Sequence, residues 1–207
     1  MLYFGCLLFG VELGFLEFRF HLLQANWDHY LLLSSVVYFA LAYRFDNRLV
    51  LSLALSALAG WFGLRLSHLL WFPGSLRGYA LAYAAVVALV GVGLHRIRIQ
   101  KHFLEAYLHV AANVALAALT TGVIDRRASA LYILGLPGLA AAAIVGGLKF
   151  RRFAFVIYGV IYAYVGVSDL VVRDSTSATG GLTYFALSAT AVIVGLVVLA
   201  RRFGHDA

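Results

Sequence analysis

Long apolar runs broken by short, mostly basic corners constrain this chain more than any other feature it has. The runs lie near 2–20, 29–43, 48–66, 78–95, 105–124, 129–148, 153–172 and 180–200. Between them stand QANWDH, RFDNR, RLSH with PGSLR, HRIRIQKH, DRR, KFRR and RDSTSATGG. A helix needs roughly 20 mostly apolar residues to cross the hydrocarbon core of a bilayer. Strands of a membrane barrel would alternate over about ten residues, and these runs do not. Helices satisfy their own backbone N–H and C=O groups where no water can, so they are the solution left. The sequence predicts an all-α fold, a polytopic transmembrane helical bundle of seven to eight spans, as one integral-membrane domain over 1–207. The first two spans are the weakest: Glu12, Glu17 and Arg19 interrupt the first, and the second is short enough to borrow Trp27 and Asp28.

Composition supports the same solvent. Hydrophobic residues make up 63% of the chain and charged residues 12%, about half the charged share of a soluble domain. That is too little polar surface to cover a globule in water. The excess of basic over acidic residues fits cytoplasmic loops meeting anionic headgroups, so membrane lipids are the expected partners and nucleic acid is not. Cys6 alone excludes an internal disulfide framework. No basic leader region and no A-x-A site accompany the first run, so it reads as membrane chain and not as a cleaved leader. It begins at the bilayer edge or belongs to the membrane part of something longer.

Counting basic residues by alternate connection gives the orientation. One side carries Arg44, Arg48, Arg96, Arg98, Lys101, Lys149, Arg151, Arg152, Arg201 and Arg202; the other carries Arg19, Arg65, Arg77, Arg126, Arg127 and Arg173. The richer side is expected to be cytoplasmic, which places both termini there. Trp27, Tyr30, Trp71, Phe72, Tyr79, Phe150, Phe153 and Phe203 sit where an interfacial aromatic belt is expected. Close helix packing is expected at Gly10 with Gly14, at Ser52, Ser56 and Gly60, and at Gly159 with Ala163, because small residues four apart let backbones approach. No internal repeat of the kind that builds inverted-repeat transporters is visible.

Four polar features are candidate sites. His95, His102 and His109 are seven apart, about 10.5 Å of helix rise, so one straight helix cannot bring them to a single ion. His102, Glu105 and His109 do share a face and form a weak metal-ligand candidate. The RIRIQK cations favour reading the stretch as a turn that leaves lipid and re-enters it. Intramembrane polar groups Glu12, His109, Asn113 and Asp169, with Tyr158 and Tyr162 on the same face of the seventh span as Asp169, are the candidates for a polar site. Finally, Arg44, Asp46 and Arg48 in YRFDNR make a topology-fixing turn, in which Asp46 is expected to cap the next helix and pair with an arginine. Phosphate-binding glycine loops, HExxH and GxSxG are all missing from the sequence.

Residues 29–67 (HYLLLSSVVYFALAYRFDNRLVLSLALSALAGWFGLRLS), 158–173 (YGVIYAYVGVSDLVVR) and the closing IVGLVVLARRFG carry a resemblance. Together they resemble a bacterial predicted-membrane-protein family known as domain of unknown function 2157. The most distinctive pieces are AYRFDNRLVLSLALSALAGWFG and YVGVS. The resemblance implies a helical membrane protein of a bacterial inner membrane, with a polar portion ahead of the first span that this sequence does not include. It implies no catalytic residue.

The expected function is therefore that of a non-enzymatic inner-membrane protein, acting as a subunit or scaffold or handling a small solute, with other membrane subunits as possible partners. No cofactor is expected. One alternative is b-type haem held by His109 with His68 or His95 on another helix. The other is a proton- or cation-coupled transporter using Glu12 and Asp169.

Overall fold

A computed structural model describes residues 2–20, 28–69, 73–125, 129–173 and 178–205. Trp27, Trp71, Phe72, Arg126 and Arg127 lie outside them, as do the side chains of Asp28, His68 and Arg202. Eight α-helices account for nearly all of these residues: α1 Leu2–Phe20, α2 Asp28–Phe45, α3 Arg48–Leu69, α4 Pro73–Arg96, α5 Leu104–Ile124, α6 Ala130–Lys149, α7 Phe153–Arg173 and α8 Ala178–His205. A 3-10 turn, Lys101–Phe103, leads into α5. Each apolar run has become one helix, and the described residues contain no strand.

Among the described residues, six helices, α3 to α8, are long and apolar enough to cross a membrane. The first two fall short where the sequence is most polar, with Glu12, Glu17 and Arg19 in α1 and with His29 and Arg44 in α2. Large apolar side chains cover the outside of the spans, among them Val86, Leu89, Leu134, Leu187 and Val194. A water-soluble monomer seldom exposes so much contiguous apolar surface, and lipid is the solvent that accommodates it. The protein is a multi-pass integral membrane protein.

The chain forms two compact units, Met1–Val114 and Ala115–Ala207. In the first, α2 and α3 make a tight antiparallel hairpin. Its seam is Ser35, Tyr38 and Ala42 against Val50, Leu51, Ala54 and Leu55, all buried. Hydroxyls stitch neighbouring helices to backbone: Ser35 Oγ donates to Ala54 O (3.0 Å), Tyr83 OH to Leu55 O (2.7 Å) and Tyr38 OH to Cys6 O (2.6 Å). Such bonds replace hydrophobic attraction, which lipid does not supply between helices. The small-residue stripe of α3 lies mostly off this seam. Ser56 is exposed, Ser52 turns back to Leu49 O of its own helix, and only Gly60 closes on a neighbour, Leu31. In α1, Gly10 approaches the Tyr38 hydroxyl, whereas Gly14 faces open space.

In the second unit α6 and α7 pair through glycine. A Cβ built on Gly159 would stand 2.7 Å from Ala140 O, and one on Gly147 would stand 2.7 Å from Val156 Cγ2. Gly166 is pressed against Leu136 in the same way. The contact stripe on α7 is thus Val156, Gly159 and Gly166, with Ala163 half-buried between the two glycines. Helix α8 joins α7 through Tyr164 OH with Ser188 Oγ (3.0 Å), and Phe153 packs on Phe203 with centroids 5.3 Å apart.

Candidate functional site

Two stretches that are polar in the sequence, RFDNR and HRIRIQKH, come together at one end of the first unit. The link between α2 and α3 is only Asp46 and Asn47. Asp46 takes a left-handed conformation (φ 54°), and the Asn47 N–H reaches back to Ala42 O at 3.0 Å, closing the end of α2. Asn47 Oδ1 then accepts from the N–H groups of Leu49 (3.0 Å) and Val50 (3.2 Å). The helix cap expected at Asp46 is therefore supplied by Asn47. A residue in the left-handed turn closing α2 is still outside the next helix, and its neighbour is the one whose side chain reaches the first amides.

This leaves the Asp46 carboxylate to face the α4–α5 connection. Its Oδ1 lies 2.7 Å from His102 Nε2, so its partner is a histidine and not the expected arginine. Arg48 Nη1 instead meets Glu105 Oε2 at 3.3 Å, and Glu105 Oε1 lies 3.6 Å from His109 Nε2 one turn on. Gln100, itself left-handed (φ 40°), donates from Nε2 to Tyr43 O (3.3 Å). Tyr43 continues the contact with its hydroxyl 2.9 Å from that of Tyr107, and its ring stands edge-on to Phe103 at 5.2 Å. Phe103 is buried, and Gly91 lets Tyr107 close on α4, where a Cβ would meet Tyr107 Cβ at 2.6 Å. The result is a polar clasp of Asp46, Arg48, Gln100, His102 and Glu105 laid over an aromatic plug of Tyr43, Phe103 and Tyr107.

The clasp fits latching better than ligation. Among the described residues no three His, Cys, Asp or Glu side chains gather as a metal ion would require. Of the candidate ligands His102, Glu105 and His109, the first turns to Asp46, and Glu105 already takes the Arg48 guanidinium where a cation would sit. His95, considered as a haem ligand, lies with Nδ1 3.3 Å from Lys101 O. Asn113 donates to His109 O in its own helix (2.8 Å).

The other candidates divide between the two units. Glu12 is exposed on α1, and the buried carboxylate of that helix is Glu17, which accepts from Tyr30 OH at 2.7 Å. Asp169 in the second unit pairs with Arg173, whose Nη2 also donates to Val123 O (2.9 Å) and Ile124 O (3.0 Å) at the end of α5. Tyr158 and Tyr162 are half-buried on α7. Tyr164 and Ser168 of α7 bond across to α8.

Sequence reasoning overlooked Tyr43, Gln100, Tyr107 and Arg173. For Arg173 a signal was available, since it follows Asp169 by four residues at a helix end, where a cation suits both the carboxylate and the helix terminus. The clasp itself makes a measurable prediction. Alanine at Asp46 and at His102, singly and together, gives a double-mutant coupling of about 0.5 kcal/mol, the size of a partly exposed pair. Thermal unfolding in detergent measures it, and zero coupling would remove the pair as a latch.

No protein-family model, curated protein or solved structure matches this chain.

Proposed function

We propose that this protein is a non-catalytic membrane subunit or scaffold of a bacterial cytoplasmic membrane, with both termini on the cytoplasmic side. The observation that carries the reading is how the polar groups are spent. Asp46, Arg48, His102 and Glu105 tie one helix connection to another, and Arg173 ties α7 to the last carbonyls of α5. Side chains used in this way fix helix ends, the work expected of a structural membrane subunit. The basic bias of the α2–α3, α4–α5 and α6–α7 connections supports the orientation, and the resemblance of residues 29–67 and 158–173 supports a bacterial inner membrane.

Purification in a mild detergent, followed by identification of what stays bound, tests this directly. A stoichiometric membrane-protein partner is the expected result. Proteoliposomes showing proton or cation flux that Glu12→Gln or Asp169→Asn abolishes would replace the scaffold with a transporter. A Soret band in the purified protein, lost in His109→Ala, would replace it with a haem protein.

A further inference from the structure

Three helix C-termini close in the same way. The runs Arg44–Phe45–Asp46, Arg96–Ile97–Arg98 and Lys149–Phe150–Arg151 each read cation, large apolar residue, charged residue. In each the third residue is left-handed, with φ of 54°, 63° and 54°. The N–H of the following residue reaches back five positions: Asn47 to Ala42 O (3.0 Å), Ile99 to Leu94 O (3.1 Å) and Arg152 to Gly147 O (2.8 Å). This six-to-one bond closes the helix and turns the chain sharply away. Glycine is the usual residue at the left-handed position, because a side chain there costs about 1 kcal/mol or more. Charged residues hold it three times here.

The turn also determines what the corner presents. Phe45, Ile97 and Phe150 are 57%, 64% and 69% exposed, each directly beside an exposed cation. The Arg44 and Lys149 charges lie 5.8 Å and 5.9 Å from the adjoining phenylalanine rings. A bulky apolar group and a cation side by side at the end of a membrane helix match the headgroup layer, where phosphate lies next to the upper acyl chain.

We propose that these three corners are docking points for anionic phospholipid headgroups. The cation at each pairs with the lipid phosphate, and Phe45, Ile97 or Phe150 seats among the first acyl carbons. The left-handed turn holds the two side chains together. The inference rests on the membrane-spanning fold and is independent of whether the protein serves as a scaffold, because it concerns lipid and not protein partners.

Spin-labelled phosphatidylglycerol and phosphatidylcholine, compared as motionally restricted lipid around the protein in phosphatidylcholine vesicles, give the test. The wild type is expected to prefer phosphatidylglycerol. Each of Arg44→Gln, Arg96→Gln and Lys149→Gln lowers the preference, by up to about fivefold per cation. An unchanged preference in the triple variant overturns the proposal. Loss of the preference on adding millimolar inorganic phosphate also overturns it, since the corners would then be binding free anion. Tryptophan at Phe45, Ile97 and Phe150 provides a second reading that keeps the basic residues. With the native Trp27, Trp61 and Trp71 replaced by phenylalanine, its emission is expected to be quenched by lipids brominated just below the headgroup, and quenching by aqueous iodide alone would place these corners in water and refute the docking.

Discussion

Replacing Gly159 with leucine is expected to pull α7 away from α6, while the same change at Gly138 leaves the pair intact. The Gly159 position faces a backbone atom, Ala140 O at 2.7 Å, and Ile144 Cγ1 at the same distance. A carbonyl held in a helix cannot rotate aside as a side chain can, so a larger residue must move a helix. Overpacking of this kind costs about 3 kcal/mol. Gly138 meets nothing within 4 Å, and leucine there gains helix propensity, about 0.5–1 kcal/mol. The adjacent pair Gly146 and Gly147 gives a sharper contrast. A Cβ at Gly147 meets Val156 Cγ2, Arg152 O and Val156 N within 3.0 Å, whereas Gly146 is open. Alanine is expected to destabilise at Gly147 and to stabilise slightly at Gly146. Unfolding midpoints in mixed detergent micelles read all four variants, and equal effects at 146 and 147 would mean that α6 packs in another rotation.

The second large effect is expected at Arg173. Its guanidinium bonds the Asp169 carboxylate and the carbonyls of Val123 and Ile124. Those carbonyls belong to the last turn of α5, which has no intrahelical N–H to offer them. Arg173→Met keeps the apolar stem but leaves a partly buried carboxylate and two carbonyls unpaired, at a cost of about 2 kcal/mol. Arg173→Lys is expected to fall between the wild type and Arg173→Met, because all three acceptors converge on the one nitrogen Nη2, a point that the differently shaped lysine stem reaches less well while keeping the charge. Double replacement with Asp169→Asn should recover part of the loss. If Arg173→Met unfolds at the wild-type midpoint, the arginine does not hold these helix ends.

The helices were legible in the sequence because hydrocarbon imposes a length and a near-absence of charge that residues 48–66, 78–95, 105–124, 129–148 and 153–172 plainly meet. The rotation of each helix was not. In water a buried face is apolar and the other polar, but a helix in lipid is apolar all round, and periodicity no longer says which stripe turns inward. The Ser52, Ser56 and Gly60 stripe illustrates this: the sequence offers it as a contact, while Leu51, Ala54 and Leu55 on a neighbouring stripe form the seam. Gly159 is legible as a contact from its pairing with Ala163, whereas Gly166 one heptad later has no small residue four away to mark it as one.

Polar groups followed the same division. That RFDNR and HRIRIQKH are corners could be read from their charge. That Asp46 of the first would meet His102 of the second depended on a left-handed turn at Asp46, and the charge of the corner does not signal that turn. The exchange of roles between Asp46 and Asn47 follows from that one conformation. Glu12 and Asn113 stand out by depth along their helices and Asp169 by the face it shares with Tyr158 and Tyr162, and neither property tells which way that face points.

Cysteine accessibility in sealed membrane vesicles tests most directly whether these helices cross a bilayer as rods with their charged corners in water. In a Cys6→Ser background, single cysteines replace Leu89, Leu134 and Val194 within α4, α6 and α8, and Lys101 and Arg152 in the connections. A membrane-impermeant maleimide is predicted to label the Lys101 and Arg152 positions, once the vesicles expose that side, and to leave the three helix positions unlabelled from either side. Labelling of Leu89, Leu134 and Val194 at the rate of the connections would contradict the transmembrane fold.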